Sequence, residues 1–565
     1  MKICLQDTAY RGATGLMTGT GEPSAAVNMV RKHADSKTVT GSLSGSYGSW
    51  DKRRVVADVS APLTTAGNVR TRVITGYQDG NSWLDRYGKR KKFFTGALDA
   101  DLTAMTTLSV GYDYQQAHTS SPTWGGVPTW YADGGRTHFD RSFSPAPDWS
   151  YSEHKANKVF ASLAQRFDNG WLLNATGTHA ENRFDSKLMY ASGFPDRATG
   201  GGVSAFGGWN KGKRKLDSLD MYASGPVTVF ERQHTLMLGG SYSKQNNHYI
   251  NAQSSFSADE VGDYFRWNGR IAEKPWSPWV DYSNDTIRKR SLYGAARITL
   301  ADPLHAIVGA RYTHWRASGT TANSDKSRIT PYAGLIYDIN DSWSGYASYT
   351  SIFQPQSVRN IDKRYIDPAT GNSYETGLKG DWLNGRLTAS VALFYTRQDN
   401  VAVRTSEYIP GTDEMAWRAA NDTVSKGVEF ELNGKLTDDW LMTVGGSRFM
   451  AQAGDHTAIN PWMPRTTLKL FTRYRLPILP ALTLGGGVNW QNSTWQDVAG
   501  PQGAARIHQG SYALVDLFGR YQVTQRLAVQ ANVNNLFDKE NFDYLGAYAV
   551  YGAPRSVSVA VNYDF

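Results

Sequence analysis

Along most of this chain apolar and polar residues alternate with a period of two. The last segment, "RSVSVAVNYDF" (555–565), puts Val557, Val559, Val561, Tyr563 and Phe565 on one face. Ser556, Ser558, Asn562 and Asp564 take the other. "RLAVQANVNNLFD" (526–538) sets Leu527, Val529, Ala531 and Val533 against Gln530, Asn532 and Asn534. This is the pattern of β-strands with one apolar and one polar face. No segment after Ala34 predicts an amphipathic helix.

The alternating runs are joined by two kinds of connection. Short turns fall at "LTTAGN", "DLTAMT", "RFDNGW", "TVFERQ", "LADPLH", "INDSWS", "WLNGRL", "LTDDWL", "LPILPA" and "VTQRL". The connections between them are longer and carry aromatic, glycine-rich or charged insertions. Short turns at one end and long loops at the other predict an all-β, 22-stranded antiparallel transmembrane β-barrel. The ten turns join twenty strands, and one strand at each end completes the even number that single-chain bacterial barrels have. The first barrel strand is expected at "SLSGSYGSW" (42–50). A propeller would need self-similarity at about 40–50 residues, and none is seen. A sandwich would not segregate short turns from long loops.

Composition agrees with a barrel. The 565 residues have a mean hydropathy of −0.48, and no apolar run is long enough for a membrane helix. A barrel needs none, because only the lipid-facing half of each strand is apolar. Aromatics reach 12%, with 31 Tyr and 18 Trp, as two interfacial girdles require. The single Cys4 excludes an internal disulfide and a thiolate metal cluster. The net charge of +9 comes from scattered residues and short clusters such as "GKRKK" (88–92) and "KGKRK" (211–215). These read as solvated segments able to attract anionic lipopolysaccharide, not as a nucleic-acid site. There is no G-x-S-x-G and no H-E-x-x-H, and the eleven histidines are dispersed, so no enzyme and no metal site is expected. Asp438–Asp439 lies in a turn and reads as turn chemistry. The opening stretch "RGATGLMTGTGEPSAAVNMVRKHA" (11–34) suggests a phosphate loop, but its glycine spacing is wrong and no Lys-Ser or Lys-Thr follows.

Several stretches resemble one family. "NVNNLFDKENFD" (532–543) with "YGAPRSVSVAVNYDF" (551–565), "YETGLKGDW" (374–382) and "SKGVEFELNG" (425–434) are similar to signatures of TonB-dependent outer-membrane receptors. The terminal Phe565 resembles the aromatic insertion signal of outer-membrane barrels. "RGATGLMTGTGEPSAAVNMVRK" resembles the end of the plug domain in the siderophore-receptor branch. "YGSWDKRRVVADVSAPL" (47–63), "SPTWGG" (121–126), "WNKGKRK" (209–215) and "YASYTSIFQPQ" (346–356) resemble receptors for ferric coprogen and ferric rhodotorulic acid.

The resemblance implies import of ferric hydroxamate siderophores across the outer membrane of a Gram-negative bacterium, driven by the TonB complex. It implies a monomer and no cofactor held by the protein; the iron travels as a ferric siderophore chelate. It divides the chain into residues 1–38, a C-terminal plug remnant, and residues 39–565, the barrel. "MKICLQDTAYRG" is not a signal peptide, and no TonB box is recognised, so an N-terminally truncated receptor is expected. The alternative is an open unselective pore or a non-functional barrel.

A bulky chelate rich in oxygens calls for flat aromatics and polar donors on the long loops. "SPTWGGVPTWYADGG" offers Trp124, Trp130 and Tyr131, and "FGGWNKGKRK" offers Trp209. Trp267, Trp276 and Trp279 lie in a further expected loop.

Overall fold

The computed structural model describes residues 4–11, 18–21, 25–412 and 414–565. Residues 12–17 and 22–24 of the opening glycine-rich stretch lie outside the described residues.

Twenty-two antiparallel strands form one closed barrel. Closure comes from the two ends of the pattern: Thr40–Gly48 pairs with Ser556–Asp564, from Ser42↔Asp564 to Gly48↔Ser558. The terminal residue joins in, since Phe565 N–H donates to Gly41 O at 2.9 Å and Gly41 N–H donates to Phe565 O at 2.8 Å. Closing the sheet removes its edges, so every strand has a partner on both sides. All ten predicted turns connect consecutive barrel strands. The turn at "LTTAGN", for example, links Lys52–Pro62 to Val69–Asp79, and "TVFERQ" links Val203–Val229 to Arg232–Phe256.

Alternation sets the two faces. Leu219 and Met221 are exposed on the outer face of Val203–Val229, while Asp220 between them faces the lumen and accepts from the Tyr293 hydroxyl. Tryptophans mark the short-turn end of the outer face: Trp343 and Trp382 meet edge to face at 5.0 Å. The wall is taller on one side of the ring, where strands reach 27 residues. There the long loops 121–150 and 257–279 fold over the mouth, the second with one short helix, Ala258–Val261. Smaller hairpins rise from the mouth at Val401–Tyr408/Met415–Ala420, Thr494–Gly500/Gly503–Gln509 and Phe542–Leu545/Tyr548–Tyr551.

Described parts of the N-terminal region dock on the inner wall. Cys4–Arg11 pairs antiparallel with Ala25–Arg31. Residues 18–21 dock on one wall: the Lys289 ammonium donates to Thr18 O at 3.1 Å and Gly21 N–H donates to Phe353 O at 3.2 Å. Gly19 has φ +74° and is buried; a Cβ there would lie 2.6 Å from Thr313 Oγ1 and 2.8 Å from Arg311 Nε, so only glycine fits.

Residues 31–34 dock on another part of the wall, nearer the short turns. The Lys32 ammonium donates to Asp58 at 2.7 Å, and Arg72 binds the same carboxylate from the wall side. Asp99 accepts from the Ala34 N–H and the Ser109 hydroxyl and meets His33 Nδ1 at 3.2 Å. Arg70 Nε donates to Ala34 O at 2.9 Å and Arg72 Nη1 to His33 O at 3.1 Å. The Asp99 hydrogen bond, the largest influence, raises the His33 pKa above 6.5, against the opposing effect of burial. The segment is thus strapped to the inner wall at two places.

Candidate ligand site at the loop-bearing mouth

Five aromatic side chains from four separate stretches meet at the inner face of the tall wall. Tyr190, on Leu172–Gly193, and Phe206, on Val203–Val229, are cross-strand partners with rings 5.2 Å apart. Trp124 from the 121–150 loop meets Phe206 at 5.0 Å and Tyr190 at 6.0 Å, both edge to face. Tyr548 meets Tyr190 at 6.0 Å and, at a tilt, Tyr544 at 4.8 Å, bringing in the Phe542–Leu545/Tyr548–Tyr551 hairpin. Phe206 is 41% exposed, so the cluster is open to the mouth. Such a surface offers large flat area with phenolic hydroxyls at its edge, suited to an apolar yet oxygen-bearing ligand. Burial raises the pKa of the Tyr548 hydroxyl in this loop, which therefore stays a hydrogen-bond donor at neutral pH.

Of the sequence-predicted residues, only Trp124 reaches this cluster. Trp130 packs within its own loop, and Tyr131 packs that loop against its neighbours. The Arg136 guanidinium lies 4.9 Å over the Trp130 ring, and the Arg197 guanidinium 4.2 Å over Tyr131. Arg197 also grips Asp133 at 2.7 Å, and Gln502 from another hairpin donates to Asp133 O at 3.1 Å. The Arg197 hydrogen bond is the main cause that holds the Asp133 carboxyl below its usual range. These contacts fix the loop that carries Trp124.

Trp209 is not in a loop. It sits on Val203–Val229, paired with Lys187, and shares the parity of Leu219 and Met221. It therefore lies on the outer face of the wall, where it meets Trp279 at 4.8 Å and Trp276 at 5.8 Å and donates to Asp185. The glycines around "FGGWN" suggest a loop, but Gly207 and Gly208 are strand residues that make room for Trp276 and Trp124 on opposite faces. Trp267, Trp276 and Trp279 do lie in a loop, as expected.

Sequence reasoning missed Tyr190, Phe206, Tyr544 and Tyr548. The run "NFDYLGAYAVYG" (541–552) was a usable signal, being aromatic-rich, glycine-bearing and placed between the last two strands. Among the described residues no group of three or more His, Cys, Asp or Glu is arranged to hold a metal ion.

Comparison with known proteins defines the class. The family model described as TonB dependent receptor-like, beta-barrel matches residues 120–536. The chain belongs to the TonB-dependent receptors, siderophore receptors of the Gram-negative outer membrane and not enzymes. It is 37% identical over 580 residues to the ferric-pyoverdine BN7/BN8 receptor of Pseudomonas putida, covering 98% of this chain and 69% of that receptor. It is 34% identical to the ferripyoverdine receptor of Pseudomonas aeruginosa, again over 98% and 69%. The crystal structure of the P. aeruginosa outer-membrane receptor bound to ferripyoverdine superposes with a TM-score of 0.94 at 33% identity, covering 100% of this chain and 77% of that one. The short motifs pointed to coprogen and rhodotorulic acid receptors; similarity across the whole length points to receptors named for ferric pyoverdines. The motifs that suggested coprogen lie largely in the wall and its turns, which siderophore receptors of different ligand can share.

Proposed function

We propose that this receptor takes up a ferric siderophore of the pyoverdine type and that the Trp124–Tyr190–Phe206–Tyr544–Tyr548 cluster is its first contact surface. One observation carries the reading: these side chains come from four stretches yet form one open aromatic wall on the lumen side of the mouth. The chelate keeps its iron saturated with its own oxygens, so the protein supplies area and hydrogen-bond donors, not metal ligands. Residues 1–38 form the plug-derived segment and residues 39–565 the barrel, and the chain works as a monomer. The two lumen straps hold the plug-derived segment to the inner wall at defined places.

Quenching of tryptophan fluorescence on titration tests the ligand class. Ferric pyoverdine is expected to bind at micromolar concentration or tighter and ferric coprogen at least tenfold more weakly. Equal affinity for both would return the reading to the hydroxamate class. A steady bilayer conductance with no response to either chelate would favour an open pore.

A further inference from the structure

Beside the aromatic wall the lumen face carries side-chain amides that bond to nothing in the protein. On Val203–Val229 the lumen-facing positions run Phe206, Gly208, Asn210, Gly212, since even-numbered residues share the face of Asp220. On the next strand, Arg232–Phe256, Gln253 is opposite Gly208 and Asn251 is opposite Asn210. A Cβ on Gly208 would lie 2.9 Å from the Trp124 ring and 3.1 Å from Asn210 Nδ2, so the first amide adjoins the indole of the cluster. Among the described residues the side chains of Asn210, Asn251 and Gln253 have no hydrogen-bond partner. Gln253 takes part through its backbone alone, its N–H donating to Ser277 Oγ at 2.9 Å. The three remain open: Gln253 is exposed, and Asn210 and Asn251 are half-buried with no buried unpaired atom.

The chemistry of the patch says what it takes. A carboxamide carries donor hydrogens and an acceptor oxygen, so it can pair with both the N–H and the C=O of a peptide group. Asn251 and Gln253 stand two positions apart on one strand, about 7 Å, which is also the repeat of same-side peptide groups in an extended chain. Asn210 adds a second row about 5 Å across. The patch is also uncharged. Lumen-facing positions from Phe184 to Ser192, from Ser204 to Gly212 and from Tyr249 to Ser255 hold no Asp, Glu, Lys or Arg. The first cation below it on Val203–Val229 is Arg214, which donates to Asn247 and Tyr249. A charged segment of ligand would lose water on this patch without gaining a counter-charge, whereas a neutral amide-bearing one exchanges water for equivalent bonds.

We infer that Asn210, Asn251 and Gln253 form a neutral subsite that pairs with peptide groups of the ligand and sets which chelate scaffold the receptor accepts. The aromatic wall supplies area to any flat chelate, and the amides select among them. A site built to bond N–H and C=O groups rejects a ligand that leaves its own groups unpaired. The inference rests on the reading of this mouth as the siderophore site.

The test is tryptophan-fluorescence titration of the whole chain with ferric pyoverdine, a chelate on a peptide scaffold, and with ferric coprogen, which has few peptide groups. N210L/N251L is expected to lose at least tenfold in affinity for ferric pyoverdine and less than twofold for ferric coprogen, so that the preference between them collapses. N210Q/N251Q keeps both amides and should stay within threefold of the parent chain for each ligand. Should N210L/N251L fail to fold, Q253L alone, at an exposed position, is expected to lose at least threefold for ferric pyoverdine. An unchanged preference in N210L/N251L overturns the subsite, as do equal losses for both ligands, which mark a merely structural role. Tyr190→Ala separates the two readings: weaker binding there with an unchanged preference in N210L/N251L removes the subsite and leaves the aromatic site standing. A parent chain that binds no ferric pyoverdine overturns both.

Discussion

Replacing Asp99 by alanine should release the strap formed by residues 31–34 while leaving the barrel closed. Asp99 is 3% exposed and serves three partners: the Ala34 N–H, the Ser109 hydroxyl and His33. In Asp99→Ala the first two, both buried, lose their acceptor. Each buried donor left unsatisfied costs about 1–3 kcal/mol. The lumen lets water reach this wall when the strap lifts, so the low end applies, about 2–3 kcal/mol together. At 1.4 kcal/mol per factor of ten, opening of the strap should rise roughly 30- to 140-fold. The bonds from Arg70 to Ala34 O and from Lys32 to Asp58 remain, so the effect is local opening and not loss of the fold. Hydrogen exchange at the Ala34 amide reads this directly, with the amides of Val69–Asp79 as the internal reference. Asp99→Asn keeps one acceptor oxygen and should open less than Asp99→Ala. If Ala34 exchanges at the parent rate in Asp99→Ala, the lumen strap does not depend on this carboxylate and the reasoning fails.

The same strap should respond to pH. His33 has its pKa raised above 6.5 by Asp99, so its contribution is complete below pH 6.5 and is lost as pH rises through the raised value. The protection factor at Ala34, with the intrinsic base-catalysed rate divided out, should fall over that window, and a protection factor independent of pH would count against the His33–Asp99 contact. Gly19→Ala places a Cβ against Thr313 and Arg311 at a left-handed φ, and should weaken docking of residues 18–21 by about 1–3 kcal/mol; cysteine accessibility at position 20 in the lumen checks it. At the mouth, Tyr190→Ala and Phe206→Ala should each weaken ferric pyoverdine binding about 10-fold or more, given about 1.5–3 kcal/mol per buried aromatic. Trp209→Ala, on the outer face, should change it less than twofold in the same fluorescence titration.

The polar half-turn of each strand repeat made the barrel visible from residues alone. Alternation is local, and the ten short turns carry their own chemistry, so strand number, turn positions and the closing strand "RSVSVAVNYDF" followed without any long-range information. Which face a residue of the tall wall occupies did not follow. Trp209 and Phe206 lie three positions apart in one glycine-bearing stretch, and only an unbroken register with Leu172–Gly193 and Arg232–Phe256 sends one outward and the other to the lumen. The aromatic cluster is likewise a product of closure, because Trp124 and Tyr548 are more than four hundred residues apart until the ring brings the last hairpin beside the first long loop. Gly19 shows the same division. In sequence it is one of several glycines with the wrong spacing for a phosphate loop, while the Thr313 and Arg311 side chains of the wall it docks on leave no room there for a Cβ. Local pattern determined the strands because each strand's alternation is written within about ten residues. The mouth and the straps belong to neighbours that share no sequence, and the closed ring alone put them side by side.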